Sequence, residues 1–141
     1  MEQTLPAEID LKVVTPYRQV VHEKVVRVTV PGREGYLGIL PGHAPLLTEL
    51  QAGELVYALS GRAGFLALSW GFAEVLPDRV IILAQTAERP EEIDVDRAHR
   101  ARQRAEDRMK KSTEAEIDLE RARAALARAL ARIQVAERLP R

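Results

Sequence analysis

Arginines at helical spacing are the side chains of this chain best suited to binding a charged ligand. A first group recurs at steps of three and four residues and so shares one helix face: Arg97, Arg100, Arg104 and Arg108. A second group follows: Arg121, Arg128 and Arg132. Arg128 and Arg132 lie four residues apart and can hold one anion together. Because a guanidinium group donates paired hydrogen bonds to phosphate oxygens, this spacing is suited to binding a phosphate.

Two other uses of these arginines remain open. They can form ion pairs on the helix surface with Asp94, Asp107 and Glu120, each contributing about 0.2–0.5 kcal/mol. They can also face an acidic surface on a partner protein. None of the three uses excludes another.

The chain lacks the residue patterns of an enzyme or a metal site. His22, His43 and His99 are dispersed, there is no cysteine, and no Gly-rich loop of the Walker type is present. Ser60, Ser69 and Ser112 lack a nucleophile elbow or a recognisable base partner. We therefore expect a non-catalytic protein with no metal ion and no required cofactor.

The N-terminal part has the pattern of short strands separated by turns. The predicted strands are Leu11–Thr15, Lys24–Val30, Glu54–Ser60, Phe65–Trp70, Phe72–Leu76 and Arg79–Ala84. Turns are predicted at Pro31-Gly32, Glu34-Gly35, Pro41-Gly42, Pro45, Gly61–Gly64 and Pro77-Asp78. Many short strands at close spacing favour a sandwich or a barrel.

The C-terminal part has the pattern of two helices, because no glycine follows Pro90 and the next proline is Pro140. Asp94 suits the N-cap of a helix over residues 95–110. Its apolar stripe is Val95, Ala98, Ala101, Ala105 and Met109. Thr113 and Glu116 form a capping box for a second helix that reaches about residue 138. That helix carries the stripe Leu119, Ala122, Leu126, Ala129, Ile133 and Ala136.

Alanine supplies three of the five residues of the first stripe and three of the six of the second, so the two helices bury little area per residue against each other. Two interpretations follow from this. The hairpin is marginal and can open and dock again with its helices extended, or it is a small static hairpin.

Charge separates the two parts of the chain. Residues 1–93 carry 8 Lys/Arg and 12 Asp/Glu, a net charge of −4, and residues 94–141 carry 13 and 9, a net charge of +4. No apolar run is long enough to span a bilayer, and the first residues lack the pattern of a signal peptide. We expect a cytosolic protein that reaches a membrane only through partners.

Three segments resemble the epsilon subunit of bacterial and chloroplast F-type ATP synthases. The most specific is residues 35–48, GYLGILPGHAPLLT, which is similar to the family signature G-x-x-G-I-x-P-G-H-A-P-L-L-T. Residues 93–98, IDVDRA, resemble the I-D-x-x-R-A motif associated with ATP binding in some bacterial members. The last is residues 128–137, and the resemblance as a whole runs from about Ile9 to Glu137.

The resemblance implies an α+β segregated fold, with a ten-stranded β-sandwich over residues 1–89 and a two-helix antiparallel hairpin over residues 90–141. It implies a central-stalk subunit that couples the catalytic head to the c-ring and binds the gamma subunit. It also implies that the hairpin inhibits ATP hydrolysis. We expect a peripheral protein on the cytoplasmic face of the bacterial plasma membrane, without nucleic acid or direct membrane insertion, and monomeric when isolated.

The resemblance also implies two sets of site residues. ATP, as a regulatory ligand, would bind Glu88, Ile93, Asp94, Arg97, Ala98, Arg104, Arg128 and Arg132. Asp94 would accept a hydrogen bond from the adenine amine, small Ala98 would leave room for the ring, and the arginines would hold the triphosphate. A partner-docking loop would comprise Gly38, Pro41, Gly42, His43, Ala44 and Pro45. We expect His43 to make a hydrogen bond with the backbone there and to have no chemical role.

Two rival functions are a nucleic-acid-binding helical tail and a β-domain adaptor with a dimerising coiled coil. The first is suggested by the basic helices, but acids are interspersed among the arginines and the helices lack aromatic stacking residues. The second would use the three–four stripe between chains, but the stripe is short and rich in alanine.

Overall fold

The chain forms a β-sandwich followed by two helices, as the sequence predicts. A computed structural model describes the backbone of residues 4–111 and 116–139. The predicted capping box at Thr113 lies outside the described residues. Within them, neither helix is both long enough and apolar enough to cross a membrane.

Ten strands make up the N-terminal part. They are β1 (Ile9–Val14), β2 (Gln19–Val25), β3 (Arg27–Gly32), β4 (Gly35–Ile39), β5 (Leu46–Leu50), β6 (Gly53–Leu59), β7 (Arg62–Leu68), β8 (Gly71–Leu76), β9 (Arg79–Ala84) and β10 (Ala87–Glu88). The hydrogen-bonded order is β10-β7-β6-β3-β5-β8-β9-β1-β2, and β4 pairs with β3. β1 and β9 pair in parallel, whereas every other pairing among the described strands is antiparallel.

Alternating aliphatic residues from most of these strands fill the space between the layers. Leu11 and Val13 of β1, Val28 and Val30 of β3, and Ile82 of β9 are completely buried. Apart from buried Pro31, their neighbours within these strands are more exposed, which is the period of two of a half-buried strand. Aliphatic side chains therefore build the core, as the scarcity of aromatic residues indicates.

The prediction of one strand over Lys24–Val30 is wrong. The chain breaks at Val26, whose backbone N–H donates to the carbonyl of Ala58 at 2.8 Å. Here it leaves β2, which pairs with β1, and enters β3, which pairs with β4 and β6. Val26 is consequently 40% exposed, although its spacing from Val28 places it on the buried face of a continuous strand.

The turn predicted at residues 61–64 is shorter in the structure. Leu59 pairs with Arg62, so only Ser60 and Gly61 form the loop, and Gly61 has a φ of +85°. Gly64 lies inside β7 opposite Tyr57. A Cβ at position 64 would fall 2.1 Å from Cζ of Tyr57. The glycine is required there because the tyrosine ring covers it.

Two helices complete the chain after a short 3₁₀ turn at Pro90–Glu92. They are α1 (Val95–Lys111) and α2 (Glu116–Ala136). The helix α1 packs on α2, and α2 in turn packs on β6 and β7 of the sandwich. The stripe residues Ala98, Ala105, Ala122, Ala129 and Ile133 are buried as predicted. Val95 is 40% exposed, so its predicted place on the buried stripe is wrong.

The helix α2 also buries apolar residues outside its predicted stripe. Ala131 and Val135 of α2 join Ala67 of β7 and Ile93 in a small buried cluster, with Phe65 partly buried beside it. This packing fixes α2 on the sandwich through a face other than that of the predicted stripe.

Candidate functional site

Asp94 and Ile93 fix the entry to α1. One oxygen of the Asp94 carboxylate accepts a hydrogen bond from the backbone N–H of Arg97 at 3.1 Å, which is the N-cap contact predicted from the sequence. Ile93 is buried against Ala67, Ala131 and Val135. The I-D pair thus anchors the start of α1 to the sandwich and to α2, and holds the Asp94 carboxylate at the helix N-terminus.

A cleft of about 390 Å³ lies between α1, α2 and the segment that follows β10. Seven of the eight residues predicted to bind nucleotide line it: Glu88, Asp94, Arg97, Ala98, Arg104, Arg128 and Arg132. Ile93 is the exception, because its side chain belongs to the buried cluster under α2. A volume in this range is typical of pockets that hold small ligands.

Small side chains make this cleft possible. Ala98 and Ala105 of α1 and Ala129 of α2 are nearly completely buried and line the cleft, together with the partly buried Ala101 and Ala125. A leucine in place of any of them would fill part of the space. Alanine, which contributes little to packing, therefore leaves an open volume between the helices.

The cleft is rich in positive charge. Five arginines line it, Arg97, Arg104, Arg108, Arg128 and Arg132, against the three carboxylates of Glu88, Glu92 and Asp94. Nε of Arg132 donates to Oε1 of Glu88 at 2.6 Å. Glu92 pairs with Arg18 of the sandwich. Two of the three carboxylates are thus already engaged by arginines.

The other four cleft arginines have no ion-pair partner within residues 4–111 and 118–139. The side-chain contacts along α1 join other residues, namely Arg102 to Glu106 and Gln103 to Asp107, each at 3.0 Å. Asp107 thus accepts from a glutamine, and among the described side chains it pairs with no arginine. The arrangement leaves guanidinium groups of both helices directed to one polar cleft.

The predicted site omits some residues that line the cleft, and the predicted arginine face of α1 includes Arg100, which does not line it. Arg108 and Glu92 line the cleft but were not among the predicted site residues. At about 100° per residue, Arg104 and Arg108 point within about 20° of Arg97, whereas Arg100 points about 60° away. Arg100 is exposed and does not line the cleft. The angular position of each arginine around the helix axis could have distinguished Arg108 from Arg100.

Residues 41–45 of the predicted docking loop connect β4 to β5, whereas Gly38 lies within β4, paired with Thr29 of β3, so its place in the loop is wrong. Gly42 has a φ of +88°, and its backbone N–H donates to the carbonyl of Pro77 at 2.8 Å. Nδ1 of His43 lies 2.7 Å from the carbonyl oxygen of Ala44, which is the backbone contact expected of this histidine. Leu40 and Leu47 at the two ends are 60% and 71% exposed. The loop is held in shape and presents apolar side chains to the exterior.

The fold and the cleft define a β-sandwich protein whose C-terminal helices enclose an arginine-lined cleft, without a metal-ligand cluster among its described residues. Residues 8–90 match the family described as ATP synthase, Delta/Epsilon chain, beta-sandwich domain. Residues 91–137 match the corresponding long alpha-helix domain. The chain therefore belongs to the ATP synthase delta/epsilon chain family and is, by its relatives, an epsilon-type, non-catalytic subunit of that complex.

Curated relatives span from about three quarters to nearly all of the chain. The ATP synthase epsilon chain of Trichlorobacter lovleyi is 48% identical over 134 residues, which cover 95% of this chain and 97% of the relative. That of Moorella thermoacetica is 50% identical over 131 residues, covering 92% and 97%. That of Koribacter versatilis is 58% identical over 103 residues, covering 73% and 72%.

Two solved complexes contain similar chains. One, in the OSCP/F1/c-ring structure of the Euglena gracilis mitochondrial ATP synthase, is 25% identical with a TM-score of 0.82, covering 97% of this chain and 86% of that one. Another, in the central stalk/c-ring structure of the Tetrahymena thermophila enzyme, is 15% identical with a TM-score of 0.66, covering 94% and 99%. The second likeness concerns the fold alone.

Proposed function

We propose that this chain is a central-stalk rotor subunit of a proton-translocating F-type ATP synthase. Its place is the cytoplasmic face of a bacterial plasma membrane, where it couples the catalytic head to the c-ring. The bacterial relatives, and the similar chain in a solved F1/c-ring assembly, support this assignment.

The sandwich is the part that docks on the gamma subunit and the c-ring. Its loop from Leu40 to Pro45 is supported from below by the hydrogen bond from Gly42 to Pro77, so its shape does not depend on a partner. Exposed Leu40 and Leu47 give it apolar area to bury. A preformed loop loses little conformational entropy on binding, which favours a stable joint in a rotating stalk.

The helical hairpin is the regulatory part, and it inhibits ATP hydrolysis when it leaves the sandwich. The hairpin contacts the sandwich mainly through α2, because α1 packs on α2 and α2 packs on β6 and β7. The seam between the helices is built largely from alanines, which bury little apolar area. The first feature lets the hairpin leave the sandwich without disturbing its core, and the second lowers the cost of separating α1 from α2.

ATP binds in the cleft and holds the hairpin folded. The observation that carries this proposal is the convergence of Arg97 and Arg104 from α1 with Arg128 and Arg132 from α2 on one cleft. Guanidinium groups suit the triphosphate, whereas Asp94 and the alanines suit the base. Because both helices contribute, extending them dismantles the site. A ligand shifts an equilibrium only through such a difference in affinity between the two states.

Calorimetric titration of the isolated chain with ATP tests the site. We expect saturable binding in the parent and at least about tenfold weaker binding in Arg128→Ala, since a charged hydrogen bond contributes about 1.5–3 kcal/mol. Arg121→Ala is the matched control, because Arg121 lies on the same helix but does not line the cleft. Equal affinity in the two variants would remove the proposed site.

Reconstitution with the gamma and catalytic subunits tests the brake separately. We expect the full chain to lower the rate of ATP hydrolysis relative to a truncation after Arg89, and added ATP to reduce that difference. Both forms should bind gamma, because the sandwich is retained. Equal hydrolysis rates for the two forms at low ATP would contradict inhibition by the hairpin while leaving the stalk role intact.

A further inference from the structure

A buried carboxylate lies under the C-terminal end of α2, on the side away from the cleft. Glu54 of β6 is 4% exposed, and it is the one charged residue that is buried among those described. Water cannot solvate it in this position, and an ionised group buried without a partner is strongly unfavourable. Its partners therefore decide whether the surrounding structure is stable.

Those partners come from the end of α2 and the turn that follows it. Nε of Arg138 donates to Oε2 of Glu54 at 3.0 Å, and Nη2 donates to Oε1 at 2.9 Å. Nε2 of Gln134 donates to the same Oε1 at 3.3 Å. The guanidinium of Arg138 also lies 5.0 Å from the centre of the Phe65 ring. The geometry is the bidentate pairing that is strongest between arginine and a carboxylate.

The backbone around Arg138 holds this side chain in place. The N–H of Arg138 donates to the carbonyl of Val135 at 3.0 Å, and that of Glu137 donates to Ile133 at 3.2 Å. Val135 is completely buried against the sandwich. The helix end is thus fixed by one small apolar cluster and by the contacts to Glu54.

We propose that Glu54, Gln134 and Arg138 form a latch that holds α2 on the sandwich independently of nucleotide. In the docked state, Arg138 and Gln134 satisfy the Glu54 carboxylate. When α2 leaves, Glu54 is uncovered and water replaces them. The latch lies between α2 and the sandwich, whereas the arginine cleft lies between α2 and α1, so the two contacts restrain different steps of hairpin release.

This arrangement predicts an unequal effect of removing each partner. Arg138→Ala leaves the buried Glu54 carboxylate with only the hydrogen bond from Gln134 in the docked state, whereas water solvates it in the released state, so the change favours release. Glu54→Gln leaves a neutral amide with the same shape, and the half-exposed Arg138 can be solvated instead. Combining the two changes removes the stranded charge and should restore docking.

Hydrogen exchange of the isolated, nucleotide-free chain measures the effect. We expect the amides of residues 129–136 to exchange at least about tenfold faster in Arg138→Ala than in the parent. In Glu54→Gln their exchange rates should stay within about threefold of the parent. The double variant should return to within about threefold. Amides of β3 and β9 report on the sandwich itself and should not change.

Arg33→Ala is the matched control, because Arg33 pairs with Glu49 at 2.8 Å on the exposed surface. If Arg138→Ala had no more effect than this control, or if the double variant exchanged as fast as Arg138→Ala, the latch would be excluded. Equal acceleration throughout the sandwich would also exclude it, since Glu54 would then stabilise the domain rather than the docking. Because no nucleotide is present, these outcomes do not depend on the ATP site.

Discussion

Arg132 of α2 and Glu88 of β10 are joined by a hydrogen bond of 2.6 Å that lies in the wall of the cleft. The guanidinium proposed to bind phosphate therefore already has an anionic partner from the sandwich. An incoming phosphate must share Arg132 with Glu88 or displace it. The contact links the occupancy of the cleft to the position of α2 on the sandwich.

Neutralising Glu88 should strengthen the binding of a ligand that consists of phosphates alone. We expect Glu88→Gln to bind tripolyphosphate several-fold more tightly than the parent, because a carboxylate near the phosphates opposes their negative charge. Glu74→Gln is the control, since Glu74 is exposed on β8 away from the cleft. Calorimetry at fixed ionic strength makes the comparison. Unchanged or weaker binding in Glu88→Gln would contradict the competition.

Filling the cleft should abolish nucleotide binding while the helices remain intact. Ala101 is partly buried and lines the cleft, so Ala101→Leu places a larger side chain in the space proposed for ATP. We expect affinity to fall by at least about tenfold, with helical circular dichroism unchanged because leucine is a good helix former. Ala124→Leu, at an exposed position of α2, is the control. Equal ATP affinity in the two variants would place the ligand elsewhere.

Glycine at position 64 should be needed for stability, whereas glycine at position 38 should not. A Cβ at Gly64 would meet the ring of Tyr57, which is 4% exposed, whereas nothing lies within 4 Å of a Cβ at Gly38. We expect Gly64→Ala to lower the free energy of unfolding by about 1–3 kcal/mol, as overpacking does. Gly38→Ala should stay within about 0.5 kcal/mol. Urea unfolding measures both, and similar values would refute the packing argument.

Trp70 should report the titration of Glu49. Hydrogen bonds from Nε1 of Trp70 and from Arg33 lower the pKa of Glu49 below its ordinary value of 4.5. Since the folded pKa is depressed, these contacts stabilise the fold above the unfolded pKa, and the contribution is lost as pH falls through the folded pKa. The sole tryptophan should therefore change its emission below pH 4.5.

Glu49→Gln is the test of that assignment. The variant should lose this acid transition in tryptophan emission while other carboxylates still titrate. Glu74→Gln, which removes an exposed carboxylate from the neighbouring strand, should retain it. An identical transition in both variants would show that another group titrates near Trp70.

Local patterns in the sequence predicted those parts of the fold that depend on neighbouring residues. The strand Arg79–Ala84 was predicted with its observed bounds, and α1 was predicted to within one residue, because period and turn chemistry are local. The break at Val26 was not predictable in this way. It reflects a change of partner strands, and nothing in the run of β-branched residues marks it.

The same limit applies to the sites. The arginine cleft was largely predictable, because its members recur along two helices and only their exact angle separates Arg108 from Arg100. The pairing of Glu54 with Arg138 was not, since 84 residues separate the partners and neither stands in a recognisable motif. Contacts between distant segments of this kind require the three-dimensional arrangement.

The parallel pairing of β1 with β9 bears on the order of events during synthesis. Asp10 of β1 pairs with Arg79 of β9, so the parallel partner of the first strand is synthesised 69 residues later. Only then can the two layers close over their shared interior. The residues of α2 are synthesised after β9 and β10, so α2 docks on a sandwich whose strands have all been made.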